Sequence, residues 1–263
     1  MSGSAPQTWE PDRYLAFADQ RLRPALDLLA RVPLDGATHV TDLGCGTGSV
    51  TPHLRQRFAQ AELIALDRSP EMLEAARSAH RGMARWLQGD AALWQPAQLQ
   101  DLIYSNAALH WLDGHDTLFP RLMGFVRPGG VLAVQMPNQF FEPSHALMRE
   151  VAQGGPWADV LRPLLRVAPV AEAEQYYDWL APLCQSIDIW HTTYMQALSG
   201  DDRVLEWISS TALKPLLEAL RTDHLAAFRA TLADKLREAY PRRADGTTLF
   251  PFKRLFIVAV RKA

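Results

Sequence analysis

Val40-Thr41-Asp42-Leu43-Gly44-Cys45-Gly46-Thr47-Gly48-Ser49-Val50 decides how this chain is read. Val40 to Leu43 read as the end of a buried strand, and a helix is expected from Val50 to about Gln60. Between them Gly44, Gly46 and Gly48 let the backbone take positive φ and approach a ligand with no Cβ in the way. A strand, a glycine turn and a helix N-terminus together make a ligand-binding corner of an open α/β sheet. The spacing is Gly-x-Gly-x-Gly, and Ser49 stands where a dinucleotide fingerprint has its third small residue. Asp42, two residues before the first glycine, would repel a pyrophosphate. A cationic ligand suits that corner better, and a tight turn without a ligand is the plainer alternative.

Working outward, the pattern alternates. Leu63 to Leu66 form a short buried strand ending in Asp67, about 20 residues past the loop, where an acid accepts hydrogen bonds from ribose hydroxyls. Ser69-Pro70-Glu71 opens a helix, with Ser69 as N-cap and Pro70 preset for the first turn. Arg85 to Ala91 give a third strand and its turn, placing Asp90 where an acid meets an adenine amino group. Asp101 to Asn106 form a fourth strand, followed by Ala107-Ala108-Leu109-His110-Trp111. After the turn Arg127-Pro128-Gly129-Gly130, Val131 to Met136 form a fifth. Strands alternating with helices predict a parallel, doubly wound sheet. Ile187 to Tyr194 and Leu255 to Val260 supply two further strands.

Two stretches fall outside that rhythm. Residues 144–181 contain Gly154-Gly155-Pro156-Trp157 and Tyr176-Tyr177; residues 201–240 read as two helices, the second with Leu225, Phe228, Leu232 and Leu236 at helical spacing. Both are expected to form a helical cap over the carboxyl edge of the sheet, where ligands bind; an external helical layer is the alternative. Residues 1–7 read as a disordered N-terminus and residues 8–263 as a single domain. Leu22 to Arg31 form an amphipathic helix. Trp9 and Tyr14 either staple the N-terminal arm to the body or close over a ligand.

With 263 residues, 48% hydrophobic and 21% charged, this is an ordinary globular composition. A net charge of −2 argues against broad nucleic-acid binding. Two cysteines, Cys45 and Cys184, give neither a disulfide framework nor zinc spacing, and Cys45 reads as packing. No apolar run has membrane length and residues 1–7 lack a signal-peptide core, so a cytoplasmic location is expected; with no zinc spacing, no metal is expected either.

Asp42 to Gly48 resemble the first motif of the class I S-adenosylmethionine-dependent methyltransferases. The acid after strand two, the Gly89-Asp90-Ala91 turn and Pro128-Gly129-Gly130 before strand five follow the same succession. Within that superfamily the chain resembles the trans-aconitate 2-methyltransferases. The resemblance is carried by Trp9-x-Pro11-x-x-Tyr14-Leu15-x-Phe17, Leu28-Leu29-Ala30-Arg31-Val32-Pro33-Leu34 and Val131-Leu132-Ala133-Val134-Gln135-Met136-Pro137-Asn138. Gly154-Gly155-Pro156-Trp157, Trp190-His191-Thr192-x-Tyr194 and Pro251-Phe252-x-Arg254-Leu255-Phe256-x-Val258-Ala259 carry it further, from about residue 8 to residue 263. Ser49-Val50 replaces an Asn-Ser pair, and His110 a glutamine, usual in the family.

The resemblance implies a Rossmann-like, seven-stranded, mostly parallel sheet with helices on both faces, the last strand antiparallel. It implies S-adenosyl-L-methionine as cofactor, S-adenosyl-L-homocysteine as product, and methyl transfer to a carboxylate of trans-aconitate. The implied cofactor residues are Trp9, Tyr14, Asp42, Gly44, Gly46, Gly48, Asp67, Arg68, Asp90, Ala91 and Asn106. A carboxylic acid with pKa near ~4 is ionised at neutral pH, so no proton need be removed. General-base help, typically worth ~10²–10⁴ in rate, has nothing to act on, whereas holding the reactants in line supplies roughly 7–11 kcal/mol. A site without a catalytic base follows, built as a cationic and hydrogen-bonding clamp. Arg254 leads the clamp, because a guanidinium grips a carboxylate bidentately; a surface arginine flanking the last strand is the alternative. His110, Trp111, Gln135, Asn138, Tyr176, Tyr177 and His191 are the other substrate candidates, and Trp157 reads as packing. A methyltransferase for another acid, such as malonyl-acyl carrier protein, a non-catalytic cofactor-binding regulator and an NAD-dependent dehydrogenase remain as alternatives. Oligomeric state is not legible.

Overall fold

A computed structural model describes residues 18–263, without the side chains of 18–21. The expectations for residues 1–7, Trp9 and Tyr14 lie outside the described residues. The described chain forms two compact units: residues 18–137 with Pro169–Thr192 and Arg254–Ala263, and Asn138–Ala168 with Thr193–Lys253.

The sheet has seven strands, β1 (His39–Leu43), β2 (Glu62–Asp67), β3 (Arg85–Gln88), β4 (Gln100–Asn106), β5 (Val126–Pro137), β6 (Cys184–Ser199) and β7 (Thr247–Arg261). Their order is β3-β2-β1-β4-β5-β7-β6. β1 to β5 pair in parallel, and β7 runs antiparallel to β5. This is the mostly parallel, Rossmann-like sheet expected from the sequence.

Register sorts side chains by face, because neighbours in register share a face and successive residues alternate. Asp42 lies beside Tyr104, Asn106 beside Gln135, and Gln135 beside Phe256. These belong to one face, where the Tyr104 hydroxyl donates to the Ala25 carbonyl of α1 (Ala18–Ala30) at 2.6 Å. The opposite face carries Leu43, Ile103, Leu132, Val134, Met136 and Ile257. It packs on Phe119 and Met123 of α4 (His115–Gly124) and on Tyr176 and Leu180 of α7 (Ala173–Leu180). The core is thus the two faces of a central sheet whose middle strands are buried, mostly apolar, with polar Asp42, Asn106 and Gln135 on one face.

Local signals explain the boundaries. Helix α2 (Thr51–Arg57) starts behind the glycine loop and ends three residues short of Gln60. Helix α3 (Pro70–Ala79) is capped as expected, Met72 N–H donating to Ser69 Oγ at 3.1 Å. The expected turn at Arg127–Gly130 is instead an irregular start of β5, with a register shift against Gln100 and Leu102. A Cβ on Gly130 would stand 2.8 Å from the Asp101 carbonyl, so the strands approach there only through glycine. Both β6 and β7 are longer than their apolar cores suggested.

In the second unit, α5 (Pro143–Gly154) and α6 (Ala158–Leu161) flank Gly155-Pro156-Trp157. Trp157 is buried, donates from Nε1 to the Val151 carbonyl at 2.7 Å and meets Phe228 edge-on at 5.3 Å. Its packing role stands. Residues 201–240 hold three helices rather than two: α8 (Arg203–Ser209), α9 (Lys214–Ala219) and α10 (Thr222–Ala239). Pro215 at the start of α9 accounts for the extra break. Helix α10 buries Phe228, Leu232, Ala233 and Leu236, the face that its periodicity marked. No helix among the described residues is long and apolar enough to cross a membrane.

Candidate functional site

The glycine loop has the backbone its composition called for. Gly44, Gly46 and Gly48 take φ of +80°, +56° and +76°, and Leu66 O of β2 accepts from both Gly44 N–H (2.7 Å) and Cys45 N–H (3.0 Å). Each glycine answers a different need. A Cβ on Gly44 would stand 2.2 Å from Ala108 Cβ, and one on Gly48 2.7 Å from the Trp86 ring; on Gly46 it would meet nothing within 4 Å. Two glycines are packed, and the third is open among the described residues. Cys45 is buried against Ala65 and Leu73, and burial pushes its thiol far above the ordinary range. It packs, as read.

Two carboxylates flank the loop. Asp67 accepts from Gly46 N–H on Oδ2 (2.8 Å) and from Ser69 N–H on Oδ1 (2.9 Å), tying the loop to the end of β2. Asp42 is 2% exposed and accepts from Thr51 Oγ1 at 3.1 Å. Burial, with a smaller push from the Asp67 charge, raises the Asp42 carboxyl to about 7. A raised carboxyl favours folding only while it can stay protonated. Its contribution is fully present below about pH 4 and is lost as pH rises through about 7, a span on the order of 4 kcal/mol. Ligand-free protein is therefore expected to lose stability relative to Asp42→Asn between pH 5 and 7.5. Urea denaturation of both proteins across that range checks this; parallel curves would place the Asp42 charge in water.

At the carboxyl ends of β4 and β5 lies a polar row. Gln135 is fully buried; its Oε1 accepts from Arg254 Nη1 at 3.4 Å, while Nε2 has no hydrogen-bond partner among the described residues. Asn106, its neighbour in register, likewise has a buried Oδ1 without one. Leaving such groups dry and unmet costs about 1–3 kcal/mol each, which a polar ligand would recover. Arg254, 3% exposed, is no surface arginine. Beyond Asn106 the backbone turns sharply: Ala107 has φ +52°, unusual for a residue with a Cβ, and donates to Gln135 O at 2.9 Å. The turn sends Ala108 against Gly44 and leads into a 3₁₀ turn, Leu109–Trp111, where the His110 and Trp111 rings lie 4.8 Å apart.

The other candidates do not join this row. Tyr176 is fully buried on the opposite face, its hydroxyl 2.6 Å from His115 Nδ1; Tyr177 is exposed on the same helix. His191 is exposed and follows Trp190, which stacks on Phe256, so its side chain leaves the sheet on the other side. Asn138 opens the second unit, where its N–H donates to Lys253 O at 3.0 Å. Of the cofactor candidates, Arg68 and Asp90 are exposed, Asp90 accepting from Ala92 N–H at 2.8 Å. The Ala91 carbonyl receives Arg121 Nη2 at 3.0 Å.

A family model described as "Methyltransferase domain" matches residues 40–130, from β1 into the start of β5. Trans-aconitate 2-methyltransferase of Azoarcus sp. strain BH72 is 49% identical, over 97% of this chain and 99% of its own length. Those of Methylobacterium radiotolerans and Yersinia pestis are 46% and 43% identical, covering 97% and 96% of this chain and 98% of their own lengths. The chain belongs to the trans-aconitate 2-methyltransferase family. Among solved structures the fold resembles the YcgJ protein of Bacillus subtilis (TM-score 0.59, 14% identity, 92% of this chain and 99% of that one). It also resembles a phosphoethanolamine N-methyltransferase of Haemonchus contortus in complex with S-adenosylhomocysteine (TM-score 0.54, 16% identity, 92% of this chain and 53% of that one).

The residues fit the S-adenosylmethionine expected of a trans-aconitate 2-methyltransferase. Two acids beside an open glycine suit a sulfonium and an ammonium and would repel a pyrophosphate. Sequence reasoning missed Thr51, Ala107 and His115. Nothing marks Thr51 or Ala107 in the sequence, and a lone histidine after Gly114 carries no spacing signal.

Proposed function

We propose that the protein transfers the methyl group of S-adenosyl-L-methionine to a carboxylate of trans-aconitate, or of a closely related small polycarboxylic acid. The products are the monomethyl ester and S-adenosyl-L-homocysteine. The observation that carries this reading is two opposite chemistries on one sheet face: the acidic corner around Asp42, and the donor row of Gln135 and Arg254. One suits a cation, the other an anion.

The cofactor supplies an electrophilic methyl on a positively charged sulfur; transfer to a carboxylate oxygen turns the sulfonium into a neutral thioether and that carboxylate into a neutral ester, leaves the acid's other carboxylates charged, and has no proton to remove. The chain's residues therefore position rather than exchange protons, and no general base is assigned. Gly44, Gly46 and Gly48 with Asp42 hold the methionine portion. Asp67 takes the ribose hydroxyls while fixing the loop through Gly46 N–H, and Arg68, Asp90 and Ala91 border the adenine. Trp9 and Tyr14 are retained as further cofactor contacts. Arg254 and Gln135 grip a carboxylate, and Asn106, whose amide is assigned O or N by its neighbours, turns toward whichever ligand group meets it. His110 and Trp111 border the acid. The helical segments 144–168 and 201–240 are retained as a cap, with Asn138 among its substrate contacts; α7, read from the sequence as part of that cap, instead packs on the apolar face of the sheet through Tyr176 and Leu180. His191 and Tyr177 are retained as outlying candidates. We further propose a cytoplasmic enzyme acting on a free small acid rather than on nucleic acid or a membrane.

Asp67→Ala removes one ligand contact and the anchor of Gly46. Affinity for S-adenosylhomocysteine is expected to fall by ~1.5–3 kcal/mol, about 10–150-fold, by titration calorimetry. Unchanged affinity would take Asp67 out of the site. The function itself is tested with methyl-labelled cofactor and a panel of mono-, di- and tricarboxylic acids, products being identified by mass. A trans-aconitate monomethyl ester is expected; labelling of acyl carrier protein alone, or of no acid, would overturn the reading.

A further inference from the structure

The turn that carries His110 and Trp111 is not self-supporting. It follows the strained Ala107, and its own bonds are Trp111 N–H to Ala108 O (3.1 Å) and Leu112 N–H to Leu109 O (2.9 Å). A single 3₁₀ turn of this kind holds one geometry only if something outside it does the holding.

Part of that holding is done by a buried relay. His115 Nε2 lies 3.0 Å from the Leu109 carbonyl, His115 Nδ1 lies 2.6 Å from the Tyr176 hydroxyl, and Ala171 N–H donates to that hydroxyl at 3.2 Å. Donor and acceptor roles follow from the two ends. A carbonyl only accepts, so Nε2 carries the ring hydrogen and Leu109 O receives it. An amide N–H only donates, so the Tyr176 oxygen accepts from Ala171 and passes its own hydrogen to Nδ1. The neutral imidazole with its proton on Nε2 satisfies every member. Burial pushes the Tyr176 hydroxyl well above its ordinary range, which keeps it a donor. Leu109 and Tyr176 are fully buried and His115 is 5% exposed, so water does not compete. His115 opens α4 and Tyr176 sits on α7, and Phe119 and Tyr176 pack at 4.7 Å. The relay thus ties the turn to two helices beneath the opposite face of the sheet.

We propose that His115 and Tyr176 are positioning residues, which fix the Leu109–Trp111 turn and so set where His110 and Trp111 meet the acid. The proposal rests on the methyltransferase reading for its link to rate, but the tether itself does not depend on it. Neither residue touches substrate. A reacting pair held by such a turn is sensitive to displacements of about 1 Å, which can cost on the order of 10²-fold in rate.

Three variants of the full-length protein separate tether from packing. His115→Gln keeps an amide N–H near the Nε2 position, His115→Asn has none that reaches Leu109 O, and Tyr176→Phe removes one oxygen. Hydrogen exchange at amides 109–112 is expected to speed up at least tenfold in His115→Asn, less in Tyr176→Phe, and little in His115→Gln. For trans-aconitate, kcat should fall 10- to 100-fold in His115→Asn and recover most of its value in His115→Gln. Affinity for S-adenosylhomocysteine should stay within twofold throughout. Exchange at 109–112 no faster than in the wild type, or equal kcat losses in Gln and Asn variants, would overturn the proposal. If His115→Asn does not fold, Tyr176→Phe decides it by the same exchange measurement. A wild type that methylates no acid defeats the proposed function alone, because the exchange readout still tests the tether.

Discussion

Gly44→Ala is expected to lower the melting temperature sharply and to abolish tight binding of S-adenosylhomocysteine. Two costs add. An alanine held at the +80° φ of Gly44 sacrifices roughly 1–2 kcal/mol. Its methyl would also stand 2.2 Å from Ala108 Cβ, and forcing a methyl into a packed place costs a further ~1–3 kcal/mol. The sum, about 2–5 kcal/mol, corresponds to a Tm fall of about 5–15 °C. The displaced partner is the Ala107-Ala108 corner, so the damage spreads from the glycine loop to the turn holding His110 and Trp111. Gly46→Ala is the control. Its Cβ would meet nothing within 4 Å, so only the φ cost applies in the ligand-free protein, and the main loss should appear in ligand affinity. Differential scanning calorimetry and titration of both variants check this. Equal Tm shifts would remove the Gly44–Ala108 contact from the account.

Arg254→Ala should act on the acid and spare the cofactor. Arg254 is buried and bonded to Gln135, so truncation removes a cation and also frees the Gln135 amide to turn. Losing a charge-assisted contact costs ~1.5–3 kcal/mol. The expected result is a KM for trans-aconitate about 10–100-fold higher, a much smaller change for a monocarboxylic acid, and an unaltered Kd for S-adenosylhomocysteine. Arg254→Lys should recover only part of the loss, since an ammonium cannot reproduce the two-pronged grip. Steady-state kinetics with both acids decide it; equal effects would reject the clamp.

What the sequence disclosed follows from how locally each feature is encoded. The glycine loop, the Ser69 cap and the Asp67 strand end are written in adjacent residues, and their geometry is the one their chemistry requires. So is the burial of Cys45 and Trp157, small or apolar groups beside glycines. The polar row was only half legible. Arg254 and Gln135 were singled out separately, but their contact depends on the antiparallel register of β7 on β5, which pairs residues over 100 positions apart. Tyr176 shows the opposite failure: a tyrosine in an unassigned segment looks like a ligand contact until α7 is seen packed beneath the sheet with its hydroxyl committed to His115. That pairing spans 61 residues and leaves no spacing signature. The break that makes three helices of residues 201–240 was available in Pro215, and the periodicity of Leu225 to Leu236 drew attention away from it.

The strand order β5-β7-β6 carries a consequence for biosynthesis. β6 emerges from the ribosome before β7, yet it has no neighbour in the sheet until β7 slides in between it and β5. A nascent or truncated chain that stops short of residue 247 therefore bears two raw hydrogen-bonding borders, one of them the sixteen-residue β6. Such borders recruit strands from other chains, so C-terminal shortening should show itself first as self-association rather than as weakened catalysis.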